Sequence, residues 1–253
     1  MRTINIANQK GGVGKTTTVI NLAWGLALWE KRVLVVDFDP QGNTTTGLGI
    51  SKRGLYNNVY TVLSGRVPIR EAIMSVTNNE YLSCLPANED LSAFPLEAAG
   101  EKDRLFILDG ALKAVRAEYD FIIIDSPPSL NLITLNAMTA SSDILIPVQS
   151  EFYALEGLSQ LLRTKERIEE AIAKKINILG FLITMYDSRT TMARQVEEEL
   201  KKHFAGKVLR TIIPRNVRIA EAPGFGESVL TYDPSSRGAF AYKELVKELL
   251  ERI

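Results

Sequence analysis

Thr3-Ile4-Asn5-Ile6-Ala7-Asn8 runs directly into Gln9-Lys10-Gly11-Gly12-Val13-Gly14-Lys15-Thr16-Thr17-Thr18, and an apolar segment follows as far as Trp29. The stretch reads as a strand over Thr3 to Asn8, a glycine-rich turn, and a helix over Lys15 to Trp29. A turn of this kind lets successive backbone N–H groups close around phosphate oxygens, and the helix N-terminus adds the positive end of its dipole. Residues Gly11, Gly12, Val13, Gly14, Lys15, Thr16 and Thr17 are therefore expected to cradle phosphate. Lys15 reaches the β- and γ-phosphates, and the Thr16 hydroxyl is placed to ligate Mg²⁺. A glycine turn that only packs a helix onto a sheet has no need of Gly-Lys-Thr at this position.

Working outward, short β-branched runs alternate with segments of helical period. The strands are expected at Val33 to Asp37, Tyr81 to Pro86, Phe121 to Asp125, Ile144 to Val148, Ile176 to Thr184 and Val208 to Ile213. Helices are expected at Arg104 to Glu118, Leu130 to Ala140, Leu155 to Ala173, Thr190 to Phe204 and Ala239 to Arg252. Strands as apolar as Val33-Leu34-Val35-Val36 are buried on both faces, which predicts an α/β fold with a mostly parallel, doubly wound sheet flanked by helices. No linker, repeat or low-complexity tract interrupts the alternation, so residues 1–253 read as one domain. The least regular stretch, Ser51 to Gly100, is expected to carry short helices near Tyr56 to Ser64 and Pro68 to Met74 and to form a surface or partner-facing element.

Composition narrows the class. With 253 residues, 45% of them hydrophobic, the chain can bury a large core, which excludes disorder for most of it. One cysteine, Cys84, can form no internal disulfide and by itself hold neither zinc nor an iron-sulfur cluster, so a reducing, cytoplasmic setting is expected. No apolar run approaches the ~20 residues that span a bilayer, and the first residues show a strand pattern without the n- and h-regions of a signal peptide, so secretion is not expected. Thirty basic against thirty acidic residues argue against a protein that coats polyanions uniformly.

Two further segments supply carboxylates. Val36-Asp37-Phe38-Asp39-Pro40-Gln41-Gly42-Asn43 ends the second strand, and ligands of open parallel sheets sit at the carboxyl ends of strands. Asp37 and Asp39 then face the phosphate loop, where phosphoryl transfer to water needs a water-orienting group and a carboxylate near Mg²⁺. Phe121-Ile122-Ile123-Ile124-Asp125-Ser126-Pro127-Pro128 places Asp125 at a third strand end, as a ligand of Mg²⁺ directly or through water. An acid after a strand is common on its own; the three elements in this order point to a nucleoside-triphosphate hydrolase. The guanine-reading Asn-Lys-x-Asp is absent, while Thr184-Met185-Tyr186-Asp187 lies at a strand end suited to base contacts, which favours ATP.

Gln9 stands where the usual phosphate loop has glycine, and Lys10 is not required by that pattern. Lys-Gly-Gly-Val-Gly-Lys-Thr resembles the deviant Walker A motif of the family that includes ParA/Soj and MinD. The resemblance implies an ATP-dependent homodimer that sandwiches two nucleotides, with Lys10 reaching the partner's phosphates and acting beside Lys15 and Asp39 in catalysis. It also implies that Asp39 orients water, that Asp37 supports the magnesium shell, and that Ile213-Pro214-Arg215-Asn216 is a second adenine-side segment in which Pro214 packs on the base and Asn216 offers its amide. Ile213 to Pro223 is similar to the corresponding segment of chromosomal ParA/Soj proteins, which implies a nucleoid-associated DNA-partitioning ATPase stimulated by a ParB/Spo0J-like partner.

The interval Asp187 to Arg218 holds eight basic and four acidic residues. Glu197 with Lys201 and Glu198 with Lys202 read as an ordinary solvated helix face. Arg189, Arg215 and Arg218 lie outside that face and resemble positions that bind nonspecific DNA in the family; with no helix-turn-helix before the loop, operator-specific binding is not expected. Too few cysteines exclude the iron-sulfur relatives, a terminal tyrosine cluster is missing, and dethiobiotin-synthetase-like ligases lack the Asp-Pro-Gln-Gly-Asn segment in this form. A MinD-like membrane ATPase is the alternative, because Lys243 to Ile253 is amphipathic. Its mixed charges and lack of an aromatic after Tyr242 suit a core helix docking through Leu245, Val246, Leu249 and Leu250, so no stable membrane association is expected. Glu151 reads either as an acid facing a partner subunit or as one near a helix N-terminus, and His203 as a helix-end residue.

Overall fold

The computed structural model describes residues 1–151 and 154–253, the side chains of 154–156 excepted. Among them, the strands β1 (Arg2–Ile6), β2 (Val33–Asp37), β3 (Met74–Ser75), β4 (Leu82–Leu85), β5 (Phe121–Asp125), β6 (Asp143–Gln149), β7 (Asn177–Tyr186) and β8 (Val208–Pro214) form one sheet in the order β3-β4-β2-β5-β1-β6-β7-β8. All neighbours pair in parallel except β3 with β4. The register sets Ile6 opposite Asp125 and Asp125 opposite Asp37. Three loops therefore leave the same edge of the sheet at the same height.

The longer helices are α1 (Lys15–Leu28), α2 (Ile107–Lys113), α3 (Leu132–Ala140), α4 (Ala154–Ile172), α5 (Thr191–His203) and α6 (Arg237–Arg252). Alternate strand residues feed opposite faces. Ile4, Val33, Val35 and Ile123 pack with α1 and α6, whereas Leu34, Val36, Ile122 and Ile124 pack under α2, α3 and the 51–100 segment. A third cluster joins β6 and β7 to α4 and α5 through Ile146, Leu158, Phe181 and Leu200. Cys84 is buried within β4.

The departures from the sequence expectations have local causes. β1 stops at Ile6 because Asn8 turns the chain: its Nδ2 donates to the Pro147 carbonyl at 2.7 Å and its Oδ1 accepts from the Lys10 N–H at 3.0 Å. The helix expected over Arg104 to Glu118 shrinks to α2 and a separate 3₁₀ turn at Arg116–Glu118, with Gly110 weakening its middle. In the 51–100 segment the helix Val59–Leu63 starts at an Asn58–Thr61 capping box, Ile69–Ala72 stops short, and Met74 enters β3 instead.

α6 closes the sheet. Leu245, Val246 and Leu249 are fully buried, with Leu250 half-buried beside them, and a Cβ added to Gly25 of α1 would meet Val246 Cγ2 at 2.5 Å. Burial of three such side chains is worth about 5–8 kcal/mol, so the apolar face of this helix is committed to the core. Glu248 covers the outer strand: its carboxylate accepts the Arg210 and Thr211 N–H groups at 2.8 Å each, and Arg252 Nη2 donates to it at 2.8 Å. Burial alone would raise the Glu248 pKa, but these donors hold it below the ordinary range. Glu248→Ala strands two backbone donors at a covered edge and is expected to lower stability by about 2–3 kcal/mol in urea unfolding, whereas an unchanged midpoint would show that water replaces the carboxylate.

Candidate nucleotide site

The loop after β1 is shaped by glycine backbone. Gly12 and Gly14 have φ of 74° and 87°, in the left-handed region, and Gly14 caps α1. Val13 is buried, and its carbonyl accepts the Thr184 hydroxyl at 2.8 Å, which ties the loop to β7. Lys15 is buried at the first turn of α1, and its Nζ donates to the Lys10 carbonyl at 3.1 Å. Burial lowers its pKa, and the nearby Asp125 and Asp39 carboxylates work against that shift.

Asp125, at the end of β5, is the centre of a small network. Its Oδ2 accepts the hydroxyls of Thr16 at 2.7 Å and Thr44 at 2.6 Å. Its Oδ1 is buried with no hydrogen-bond partner among the described residues. A carboxylate oxygen left alone beside a phosphate loop is one cation short, and Mg²⁺ fits it. That ion takes one or two protein oxygens and fills its octahedron with water and substrate phosphate. Among the described residues no group of three or more His, Cys, Asp or Glu could hold a metal. Thr16 and Asp125 are the residues that could hold such an ion, the rest of its shell being left to water and phosphate oxygens.

Asp37 is fully buried next to Asp125, but both of its oxygens are engaged. Oδ2 accepts the Thr45 N–H at 2.7 Å and the Thr45 hydroxyl at 2.6 Å, and Oδ1 accepts the Asp39 N–H at 3.3 Å. Asp37 therefore organises the loop that carries Asp39. Burial raises the pKa of both buried acids, and for Asp37 the Asp125 charge adds to the effect. Asp39 is half-buried and lines an open cleft of about 560 Å³ with Gly11, Gly12, Lys15, Thr16 and Pro128.

A second cavity of about 180 Å³ begins where this cleft ends, and Gly14, Thr17 and Met185 line both. Pro214 and Asn216 line the second cavity, so the structure brings all the sequence-derived base-side residues together. Asn216 Oδ1 accepts the Arg218 N–H at 2.9 Å as the cap of helix Val217–Glu221, which leaves Nδ2 as its donor to a base. Met185 holds φ of 51°, a strained value for a side chain of its kind, at the junction of the two cavities. The sequence reading missed Thr44 and Thr45, whose signal was the Thr-Thr-Thr run after Asn43, and Tyr242, which reads from sequence as one more apolar position of α6.

The remaining charges sit farther out. Lys10 Nζ pairs with Glu151 of its own subunit. Arg189 grips Asp187 at 2.9 and 2.7 Å, and Arg218 pairs with Glu221 at 2.9 Å and Asp233 at 3.3 Å. Arg215 is exposed between them, its backbone N–H on the Tyr186 carbonyl at 3.1 Å. On α5 the Glu197–Lys201 pair forms at 2.6 Å, whereas Lys202 takes Glu199 at 3.4 Å in place of Glu198. His203 also pairs with Glu199 at the exposed helix end.

Residues 1–178 match the family model of the AAA domain. Over 246 residues the chain is 50% identical to the sporulation initiation inhibitor protein Soj of Bacillus subtilis, covering 97% of each. Over 254 residues it is 46% identical to the chromosome partitioning protein ParA of Caulobacter vibrioides, covering 100% of this chain and 95% of the relative. The chain belongs to the ParA/Soj family of ATPases. Its fold matches a cobyrinic acid a,c-diamide synthase from Mycobacterium smegmatis, solved with a bound ATP analog and magnesium, with a TM-score of 0.86 at 37% identity over 99% of this chain and 95% of that one.

Asp125→Asn removes the charge that the lone Oδ1 presents. Calorimetry is expected to show roughly tenfold or greater weakening of ATP binding in Mg²⁺ with little change when EDTA replaces the metal. Equal loss in both conditions would take Asp125 out of the metal site.

Proposed function

We propose that the chain is a DNA-partitioning ATPase that closes into a homodimer over two Mg²⁺-ATP molecules, binds nonspecific DNA in that form, and lets go on hydrolysis. The observation that carries this reading is Lys10. It follows the first strand in a loop that already has its own phosphate lysine, Lys15, and its ammonium engages no group of the phosphate cleft. A second loop lysine so placed is available to a second subunit. The names and full-length similarity of the ParA and Soj relatives support the same reading.

The chain's residues divide the work. Gly11 to Thr17 wrap the phosphates, and Lys15 offsets their charge at the buried end. Thr16 and Asp125 hold the magnesium ion, which when bound neutralises phosphate charge. Asp39, fixed through its N–H by Asp37, orients the attacking water, while Lys10 and Lys15 stabilise charge on the transferring group. Met185, Pro214 and Asn216 bound the adenine cavity. Closure joins the Arg189, Arg215 and Arg218 surfaces of two subunits into one strip. Since Arg189 and Arg218 are paired with acids, DNA phosphates must compete for them, and a single subunit binds DNA weakly. A ParB/Spo0J-like partner accelerates turnover, and DNA binding places the ATPase on the nucleoid. The buried apolar face of α6 does not favour the MinD-like membrane reading.

Asp39→Ala is expected to slow turnover by about 10² or more while leaving an ATP-dependent dimer that persists on DNA. A variant that stays monomeric in saturating ATP would contradict the role of Asp39, and turnover requiring a carboxylate co-substrate would instead place the chain among ligases. Arg189→Glu is expected to weaken DNA retention about five- to tenfold at moderate salt, with nucleotide affinity unchanged. Normal, salt-sensitive retention would remove Arg189 from the DNA surface.

A further inference from the structure

Lys10 is held at three points within its own subunit. Its N–H donates to Asn8 Oδ1 at 3.0 Å, its carbonyl accepts from Lys15 Nζ at 3.1 Å, and its ammonium pairs with Glu151 just beyond β6. Asn8 in turn is anchored on the Pro147 carbonyl of β6, so the front of the phosphate loop lies along the end of that strand. The residues that precede the two paired charges are incompletely satisfied. Gln9 Nε2 and Ser150 Oγ are buried with no hydrogen-bond partner among the described residues. Buried polar atoms in a settled interface are nearly always paired, so two such orphans on either side of one ion pair mark an arrangement built to change.

We propose that Glu151 is a latch that holds Lys10 in cis, and that phosphate binding at Lys15 loosens it. The reading rests on the dimer proposed above, in which Lys10 serves the other subunit. The coupling follows from the contacts. Lys15 Nζ has three N–H donors, and phosphate oxygens in the cleft draw that ammonium away from the Lys10 carbonyl it meets at 3.1 Å. When it turns, the Lys10 backbone loses one of its two fixed points, and the half-exposed ion pair with Glu151 is left to hold the side chain. Lys10 then leaves Glu151 for a partner's phosphates. Nucleotide binding in one subunit thus frees the group that the second subunit needs, which makes closure conditional on nucleotide in cis. Glu151 acts here as a positioning residue.

The latch is weak enough to open. The two side chains are 34% and 49% exposed, and pairs of that exposure shift an equilibrium by about two- to fivefold. Apparent affinity for the closed state falls by the fraction of molecules in which Lys10 is free. The test is sedimentation velocity of wild type, Glu151→Gln, Lys10→Gln and the double variant, titrated with Mg²⁺ and a slowly hydrolysed ATP analogue. Glu151→Gln is expected to reach half-dimer at about two- to fivefold lower nucleotide than wild type, and the gain is expected to vanish in the Lys10→Gln background. An unchanged or higher midpoint for Glu151→Gln overturns the latch, as does a gain that persists without Lys10. Wild type that stays monomeric throughout overturns the dimer reading itself, and the latch falls with it.

Discussion

Two buried carboxylates stand side by side where β2 and β5 end, and the rest of the site is arranged to make that tolerable. The parallel register that sets Asp37 against Asp125 also sets Asp125 against Ile6, so the acids lie beneath the loop that leaves β1. Desolvation and mutual repulsion both disfavour two such charges. Thr45 and the Asp39 N–H meet the first acid; Thr16 and Thr44 meet one oxygen of the second. One oxygen of Asp125 has no partner among the described residues, and the surrounding groups suit a hard cation brought in with phosphate. Lys15, itself buried, adds a positive charge whose ionisation Asp125 and Asp39 support against the cost of burial.

The same register explains how chemistry and conformation come to share a few residues. Asp37 fixes the backbone of Asp39, Thr44 links that loop to Asp125, and Lys15 touches the carbonyl of Lys10. A change in charge at the phosphate cleft therefore pulls on the loop that carries Asp39 and on the loop that carries Lys10. Farther out, Arg215 lines the smaller cavity together with Pro214 and Asn216.

Much of this was legible in the chain itself. β2 and β5 match the expected spans residue for residue, because runs such as Phe121-Ile122-Ile123-Ile124 suit a strand buried on both faces and the following Asp ends it. The phosphate loop, the three acids and the base-side residues converge as their motifs require. What was not legible depends on contacts distant in sequence. The early end of β1 is set by Asn8 reaching Pro147, the two-residue β3 has too few residues for any period, and the covering of β8 by Glu248 looks from sequence like one more surface acid. The excess of basic residues between Asp187 and Arg218 also overstated the free positive charge, since acids at 221, 233, 248 and 251 fold onto two of those arginines, Arg210 and Arg218. Charge counted along a chain says little until its partners are known.

The most direct measurement is retention of the purified protein on nonspecific DNA with no nucleotide, ADP, ATP and a slowly hydrolysed ATP analogue, over a salt series and with dimerisation followed in parallel. The account expects retention only in the ATP and analogue states, rising with the dimer fraction and falling steeply with salt. Retention independent of nucleotide, or a dimer that forms with ATP and ignores DNA at every salt concentration, would contradict it.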